Sequence, residues 1–377
     1  MAIRPLKIQV PDSALIDLKN RLARTRLPAA VADAGWRYGT DRDFLKELVG
    51  HWRERFDWRA VEEHLNEFPQ FLADIDGLDI HFLHVRGKGP NPLPLVMTHG
   101  WPSSIAEFVR IIPLLTDPAA HGGRSEDSFD VVAPSLPGFG FSKSPKQPGM
   151  SSRGVTELWV KLMQDVLGYE RFFAHGGDIG GGITNRLGRW KSAAAIHTMV
   201  AAPVENLDSP PPSDAEKSWL AYVQKWENDE GAYWHQQRTR PQTLAYSLND
   251  SPAGLAAWIV EKWRSWSDCG GDILSRFSMD ELLTNISIYW FTETIGSSMG
   301  MYYESAHDPN PETKAKIEVP ARIFLTREEV ELCPPEYAAR SYMDFSYEIA
   351  ERGGHFLAAE EPELLAEDIR SWFRRFR

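Results

Sequence analysis

The stretch Arg171-Phe-Phe-Ala-His-Gly-Gly-Asp-Ile-Gly-Gly-Gly182 decides the fold that this chain of 377 residues can adopt. Residues 172 to 174 are apolar and predict a buried strand, and the sequence after Gly182 predicts a helix. Asp178 stands between the two, with Gly176 two residues before it and Gly180 two residues after it. A strand that turns this sharply into a helix leaves no room for side chains at those two positions. The spacing is therefore typical of a nucleophile elbow.

An aspartate at the apex of such a turn changes the chemistry that can be expected. A serine must lose its proton before it attacks, whereas an aspartate is already ionised near neutral pH. Asp178 could therefore attack a saturated, electrophilic carbon directly and form an ester. A histidine would then be free to activate the water that breaks this ester. The alternative is that Asp178 only caps the following helix, and the flanking glycines favour the elbow over it.

The composition is that of a globular protein and argues against several classes of partner. A net charge of −12 without a cluster of Lys or Arg argues against nucleic acid or an anionic membrane surface. The cysteines, Cys269 and Cys333, have no metal-binding spacing, so we expect a reducing compartment and no structural metal. No run approaches the roughly 18 apolar residues of a membrane span. With no secretory signal at the N-terminus either, we expect a cytoplasmic protein without a membrane anchor.

The order of strand and helix patterns predicts an α/β protein with an insertion. Residues 1–66 predict an N-terminal helical arm. In residues 67–204 and 306–377 strands alternate with helices, which predicts a mostly parallel sheet with helices on both faces. Residues 205–305 break this alternation and are rich in Trp, Tyr and helical pattern. They predict a helical cap over the carboxyl ends of the strands, where α/β active sites lie.

Two further motifs complete a catalytic set. His355 follows the last predicted strand after two glycines, and the order nucleophile, acid, histidine is that of the α/β-hydrolases. The stretch His99-Gly-Trp-Pro102 follows an earlier strand and can direct a backbone N–H at the nucleophile. We therefore expect an oxyanion hole made by the backbone N–H groups of Trp101 and of Ile179, the residue after the nucleophile.

The acid that orients the histidine should follow the strand that ends at Thr326. Three carboxylates lie there, Glu328, Glu329 and Glu331, and spacing alone does not choose between them.

With these residues assembled, the chain resembles the microsomal-type epoxide hydrolases of the α/β-hydrolase fold over nearly its whole length. The resemblance rests on several motifs in the correct order rather than on any one of them. They are Phe68-Pro-Gln-Phe71, Ile75-Asp-Gly-Leu-Asp-Ile-His-Phe82, His99-Gly-Trp-Pro-Ser103, Pro134-Ser-Leu-Pro-Gly-Phe-Gly-Phe-Ser142, His175-Gly-Gly-Asp-Ile-Gly180, the cap segment 248–256 and Gly353-Gly-His-Phe356.

The resemblance implies that Asp178 attacks an epoxide carbon and that His355 activates water against the resulting ester. It also implies that two tyrosines of the cap hydrogen-bond the epoxide oxygen and protonate it as the ring opens. By similarity these are Tyr233 and Tyr302, with the adjacent Tyr303 as the alternative to the second.

For the orienting acid, the family's pattern of an acid followed by Leu-x-Pro matches Glu331-Leu-Cys-Pro334 and favours Glu331. The chain departs from the family at this position, because Glu328-Glu329 stands where an aromatic residue and a proline usually precede the acid.

The expected activity is the addition of water to a small apolar epoxide to give a vicinal diol, without a metal or an organic cofactor. A detoxifying and a biosynthetic role both fit the sequence, as does a homodimer. One alternative is a haloalkane-type dehalogenase, which would use the same aspartate but needs halide-binding N–H donors and no tyrosine acid. Another is a non-catalytic hydrolase relative that only binds ligands.

Overall fold

The structure is a computed structural model that describes residues 3–203, 210–309, 315–329 and 332–377. Within these ranges nine strands form one sheet, in the order β1-β2-β3-β5-β4-β6-β7-β8-β9. The strands are β1 (Ile3–Pro5), β2 (Gln70–Ile75), β3 (Leu78–Val85), β4 (Leu93–Thr98), β5 (Phe129–Pro134), β6 (Phe173–Gly176), β7 (Ile196–Thr198), β8 (Ala321–Thr326) and β9 (Phe345–Ala350).

The sheet is antiparallel at one end and parallel over the rest. The pairs β1–β2, β2–β3 and β3–β5 are antiparallel, whereas β5, β4, β6, β7, β8 and β9 run parallel to one another. Strands β2 and β3 form a hairpin whose turn residues, Asp76 and Gly77, both have positive φ, as an Asp-Gly turn requires. The predicted mostly parallel α/β sheet is confirmed.

The N-terminal segment, which we expected to be a helical arm before the start of the sheet, also contributes an edge strand. Residues Ile3 to Pro5 pair with β2, so the sheet begins at residue 3 and not after residue 66. All three residues are exposed, so no apolar alternation marks the strand in the sequence. A proline at its end is tolerated because an edge strand has one side without ladder hydrogen bonds.

Helices cover both faces of the sheet. Within the described residues they are α1 (Asp12–Ala23), α2 (Arg42–Glu54), α3 (Trp58–Leu65), α4 (Ile111–Thr116), α5 (Ser152–Lys161), α6 (Asp178–Arg189), α7 (Asp214–Glu230), α8 (Ala232–Thr239), α9 (Pro241–Asp250), α10 (Pro252–Trp266), α11 (Met279–Thr292), α12 (Ile295–Ala306), α13 (Pro335–Ser341), α14 (Leu357–Glu360) and α15 (Pro362–Phe373).

Each buried strand divides its side chains between two apolar cores. On β4, Val96 faces the core that contains residues of α5 and α6, while Leu95 and Met97 face the core that contains residues of α4 and α15. Successive side chains of a strand point to opposite faces of the sheet. Because helices cover both faces, both sets of side chains are buried, and the strand is therefore apolar throughout. The parallel strands have their carboxyl ends at the same edge of the sheet, and this is the edge at which β6 leads into α6.

Helices α7 to α12 form the part of the chain that we expected to be a helical cap. Two of them begin with capping boxes, Ser213 with Glu216 in α7 and Ser278 with Glu281 in α11. The expected boundary between the first part of the core and the cap, at residues 204 and 205, lies outside the described residues. In the described part of the chain, no helix combines the length and apolar character of a membrane span.

Candidate active site

Asp178 occupies the turn between β6 and α6 and carries the strained backbone of a nucleophile elbow. Its φ is 49°, in the left-handed region that non-glycine residues rarely adopt. A Cβ added at Gly176 would overlap the carbonyl oxygen of Gly180, and one added at Gly180 would overlap the carbonyl oxygen of Thr98. Only glycine therefore fits at either position, which is the steric reason for the spacing seen in the sequence.

The loop after β4 holds one oxygen of the nucleophile. The Trp101 backbone N–H donates a hydrogen bond to Asp178 Oδ1 at 2.8 Å. Gly100 permits this approach, since a Cβ there would overlap the same carboxylate. Ile179 is the second residue of α6, within the first turn, where backbone N–H groups have no acceptor inside the helix. Its part in an oxyanion hole stays a prediction.

His355 faces the other carboxylate oxygen. Its Nε2 lies 3.6 Å from Asp178 Oδ2, and its side chain is only 5% exposed. On its far side, Nδ1 lies 2.8 Å from Oε1 of Glu329, whose side chain is 1% exposed. This arrangement fixes the imidazole between two carboxylates, with Nε2 directed at the nucleophile.

The acid that the structure brings to His355 is thus Glu329, one of the three candidates. Glu328 is exposed. Glu331, which the family pattern favours, lies outside the described residues. The position of Glu329 follows from the chain after β8: its backbone N–H donates to Thr326 O at 3.3 Å, which turns the chain back towards the histidine.

The two carboxylates determine the charge on the imidazole. Burial lowers the pKa of His355, but the negative charges of Glu329 and Asp178 outweigh this effect and raise the pKa well above its ordinary value. With Asp178 ionised, His355 is therefore an imidazolium.

Two cap tyrosines complete an aromatic cluster over the nucleophile. Tyr233 of α8 is 7% exposed and stacks on the ring of Trp101, with centroids 5.4 Å apart and planes 6° apart. Tyr302 of α12 meets the Trp101 ring edge-on at 6.0 Å and the Tyr233 ring at 6.2 Å. Burial, followed by the charge of Asp178, raises the pKa of Tyr302 well above its ordinary value. It is therefore a neutral phenol, able to donate a proton.

The neighbouring Tyr303 is directed elsewhere. It is 37% exposed and stacks on the ring of His307 at 4.1 Å. Of the expected Tyr302 and its alternative Tyr303, Tyr302 is the one that contacts the cluster over Asp178.

A cavity of about 180 Å³ lies between the cap and the nucleophile. Three tryptophans, two valines and a tyrosine make up more than half of its lining residues, which suits an apolar ligand. It is lined by Asp178, Val200, Val223, Trp226, Glu227, Tyr233, Trp234, Trp266, Glu329 and His355. The nucleophile, the histidine, its carboxylate and one of the tyrosines therefore line one cavity.

A second, smaller cavity of about 10 Å³ also borders Asp178 and His355, and it has room for about one water molecule. Its wall includes Glu107, a residue that the sequence analysis did not single out. Burial raises the pKa of Glu107 to about 7. Nothing in the sequence marks this glutamate, because its neighbours in space come from other elements.

Glu360 was missed for a similar reason. Its carboxylate accepts hydrogen bonds from the backbone N–H groups of Asp268 at 2.8 Å, Gly354 at 3.0 Å and Phe356 at 3.0 Å. The backbone N–H of His355 donates to Trp266 O at 2.8 Å. The histidine loop is thus tied to the end of α10 in the cap. Only the position of Glu360 five residues after the histidine could have suggested this role.

No group of three or more His, Cys, Asp or Glu side chains within the described ranges could hold a metal ion. Apart from His355, two buried histidines beside the elbow, His99 and His175, take part in hydrogen bonds within the fold. His99 lies between Gly100 O at 3.0 Å and the Leu136 N–H at 3.3 Å, and burial lowers its pKa to about 4. His175 pairs with His197 at 3.0 Å.

Comparisons with known proteins agree with this geometry. The family model for the epoxide hydrolase N terminus matches residues 3–108, and that for the alpha/beta hydrolase fold matches residues 94–230. A protein of Stigmatella aurantiaca is 44% identical over 100% of this chain and 86% of its own length. Epoxide hydrolase 1 of Sus scrofa is 37% identical over 98% of this chain and 88% of its own length.

The structural comparison extends over the whole chain. The crystal structure of juvenile hormone epoxide hydrolase from the silkworm Bombyx mori has a TM-score of 0.89 and 29% sequence identity, and it covers 100% of this chain and 95% of that chain. The similarity therefore includes the N-terminal region, the sheet and helices α7 to α12, and it is not limited to the sheet and the helices that cover it. The chain belongs to the microsomal-type epoxide hydrolases of the α/β-hydrolase fold.

Proposed function

We propose that the protein adds water to a small apolar epoxide through an ester on Asp178 and releases a vicinal diol. In the first step a carboxylate oxygen of Asp178 bonds to one epoxide carbon while the bond from that carbon to the epoxide oxygen breaks. Tyr233 and Tyr302 hydrogen-bond the epoxide oxygen, and one of them transfers its proton to the developing alkoxide. The products of this step are a hydroxyalkyl ester and a tyrosinate, and the imidazolium of His355 then gives its proton to the tyrosinate, which leaves a neutral imidazole.

The second step breaks the ester. His355 takes a proton from a water molecule, and the hydroxide attacks the carbonyl carbon of the ester. The N–H of Trp101, together with that of Ile179, stabilises the oxyanion that forms. When the bond to the diol oxygen breaks, the alkoxide takes the proton of the new carboxyl group. His355 keeps the proton that it took from water and is again an imidazolium beside the ionised Asp178, so the enzyme is ready for another turnover.

Glu329 acts in this proposal as the residue that orients the histidine. A carboxylate at Nδ1 keeps that nitrogen protonated and leaves Nε2 free to accept a proton from water. It also stabilises the imidazolium that forms during hydrolysis of the ester. The distance of 2.8 Å and the near-complete burial of both side chains support this role.

The observation that carries the proposal is the position of the Asp178 carboxylate. One oxygen receives the N–H of Trp101 at 2.8 Å, and the other lies 3.6 Å from Nε2 of His355. The same carboxylate lines an apolar cavity whose wall includes Tyr233. A nucleophile, a base and an acid around one cavity are the parts that ester-forming ring opening and hydrolysis of the ester need.

The proposal is tested by one turnover with enzyme in excess over a terminal aryl epoxide in oxygen-18 water. The first diol should contain only ordinary oxygen, because Asp178 supplies the new hydroxyl oxygen and the label enters the carboxylate. Label in that first diol would mean that water attacks the ring directly, and the proposed ester would be excluded.

A second measurement follows the ester itself. In His355→Gln the ester should form and then persist, so rapid quenching and mass spectrometry should find the adduct on the peptide that contains Asp178. His235→Gln, a change at an exposed histidine of α8, serves as the matched control and should turn over normally. Halide release from chlorinated alkanes that Tyr233→Phe leaves undiminished would instead favour a dehalogenase.

A further inference from the structure

Lys262 of α10 places a buried positive charge beside the ring of Tyr233. Its side chain is 5% exposed, and its Nζ lies 5.0 Å from the centroid of that ring. The same ammonium lies 5.9 Å from the ring of Trp266, which in turn contacts the imidazole of His355 at 5.2 Å. A lysine ammonium is rarely buried, because removal from water is costly unless the charge is compensated.

Two carboxylates compensate this charge only in part. Glu261 Oε2 lies 2.7 Å from Nζ, and Glu230 Oε2 lies 3.8 Å away, beyond hydrogen-bond distance. Both carboxylates are also more exposed than the ammonium, at 21% and 38% of their side chains. A salt bridge alone would need neither the depth of Lys262 nor its position over an aromatic ring.

We propose that Lys262 is a positioning residue that acts through Tyr233, favouring transfer of the tyrosine proton to the epoxide oxygen. This inference rests on the proposed function, since it needs Tyr233 to act as an acid. As the proton leaves, negative charge spreads from the hydroxyl oxygen into the ring. A cation near the ring attracts the tyrosinate more strongly than the phenol, and the low-dielectric surroundings strengthen that attraction.

The packing of Tyr233 supports this direction of effect. The ring of Trp101 stacks on it and that of Trp266 lies 5.0 Å away, so water has little access to screen the charge. The three carboxylates that line the same cavity, those of Asp178, Glu227 and Glu329, disfavour a tyrosinate. The ammonium of Lys262 offsets the effect of these negative charges on the tyrosinate. In the reaction, Asp178 loses its charge as the ester forms, at the moment when Tyr233 gains one.

The test compares single-turnover rates of ester formation, measured by rapid quenching, in four proteins. They are the wild type, Lys262→Met, Tyr233→Phe and the double variant. We expect Lys262→Met to slow ester formation about tenfold when Tyr233 is present and to change it less than twofold in the Tyr233→Phe background. Lys262→Arg, which keeps the charge, should stay within about threefold of the wild type.

Other variants separate this effect from simple damage to the cap. Lys225→Met, at an exposed lysine of α7 that pairs with Asp229, should leave ester formation unchanged. In Tyr302→Phe, the slowing by Lys262→Met should persist, because the ammonium lies beside Tyr233. If Lys262→Met does not fold, Lys262→Gln gives the same comparison and can still hydrogen-bond Glu261.

The outcomes are distinct. Equal slowing by Lys262→Met with and without the Tyr233 hydroxyl would mean that the lysine only supports the structure, and no slowing in either background would also overturn the inference. Both results leave the proposed function intact, since the wild type still forms its ester. Absence of an ester in the wild type itself would overturn the proposed function and this inference together.

Discussion

Replacing Glu329 with glutamine tests the part of the site that the sequence left most open. The change keeps the size of the side chain and one oxygen that can accept from Nδ1 of His355, but it removes the negative charge. We expect hydrolysis of the Asp178 ester to become far slower than its formation. The ester should therefore accumulate during turnover, as it should in His355→Gln.

The magnitude follows from the contact between the two groups. Glu329 and His355 approach to 2.8 Å and are 1% and 5% exposed, so solvent screens their interaction little. Opposite charges about 4 Å apart interact by about 4 kcal/mol at an effective dielectric constant of about 20. Because the amide still orients the ring, not all of this energy is lost. We therefore expect the rate of ester hydrolysis to decrease about 10²–10³-fold.

The assay measures ester formation and ester hydrolysis separately in a single turnover, by rapid quenching and mass spectrometry. Glu328→Gln is the matched control, because that side chain is exposed, and it should behave like the wild type. Glu331→Gln tests whether Glu331, which the family pattern favours, orients His355 in place of Glu329, which contacts it in the structure. If Glu331→Gln stalls the ester while Glu329→Gln hydrolyses it at the normal rate, the reasoning from the contact with His355 is refuted.

Three further predictions concern other parts of the molecule. Tyr302→Phe should slow ester formation about tenfold or more by removing a proton donor, whereas Tyr303→Phe should not, and stopped-flow measurement of ring opening distinguishes them. Gly180→Ala should destabilise the fold by about 3 kcal/mol because its Cβ meets backbone, whereas Gly182→Ala, with open space, should gain up to about 1 kcal/mol in denaturant unfolding. The folded-state pKa of His355 lies above the ordinary value of 6.5, so its contribution to stability is complete below pH 6.5 and is lost as pH rises through the folded value. The difference in unfolding free energy between wild type and His355→Gln should therefore shrink towards alkaline pH, and a constant difference would contradict the raised pKa.

The features that could be predicted from sequence are those whose signal is local. The elbow is recognisable because Gly176 and Gly180 are required by contacts within a few residues of Asp178 and with β4. His355 is recognisable because it follows a strand and two glycines in the expected order. The mostly parallel sheet is recognisable from apolar strands that alternate with amphipathic helices. In each case the residues that reveal the feature lie close together in the sequence.

The features that could not be predicted depend on how distant segments meet. Glu329 and Glu331 are two residues apart in the sequence, and only the path of the chain after β8 brings the carboxylate of Glu329 to the histidine. Tyr302 and Tyr303 are neighbours on α12, and the rotation of that helix against the core decides which of them is exposed. Lys262 follows Glu261 in the sequence and looks like an ordinary solvated pair, although the packing of α10 buries its ammonium.

The two steps of the proposed reaction are coupled through the protonation of His355. In the resting enzyme burial lowers the pKa of His355, but the carboxylates of Glu329 and Asp178 raise it well above its ordinary value, so the imidazole is charged and cannot act as a base. Ester formation removes the charge of Asp178, which takes away one of the two groups that stabilise the imidazolium. The pKa of His355 must then fall, so the imidazolium gives its proton to the tyrosinate formed in the first step, and a base becomes available only once there is an ester to hydrolyse. Attack on the epoxide therefore prepares the histidine for the second step, and premature activation of water beside an unreacted epoxide is avoided.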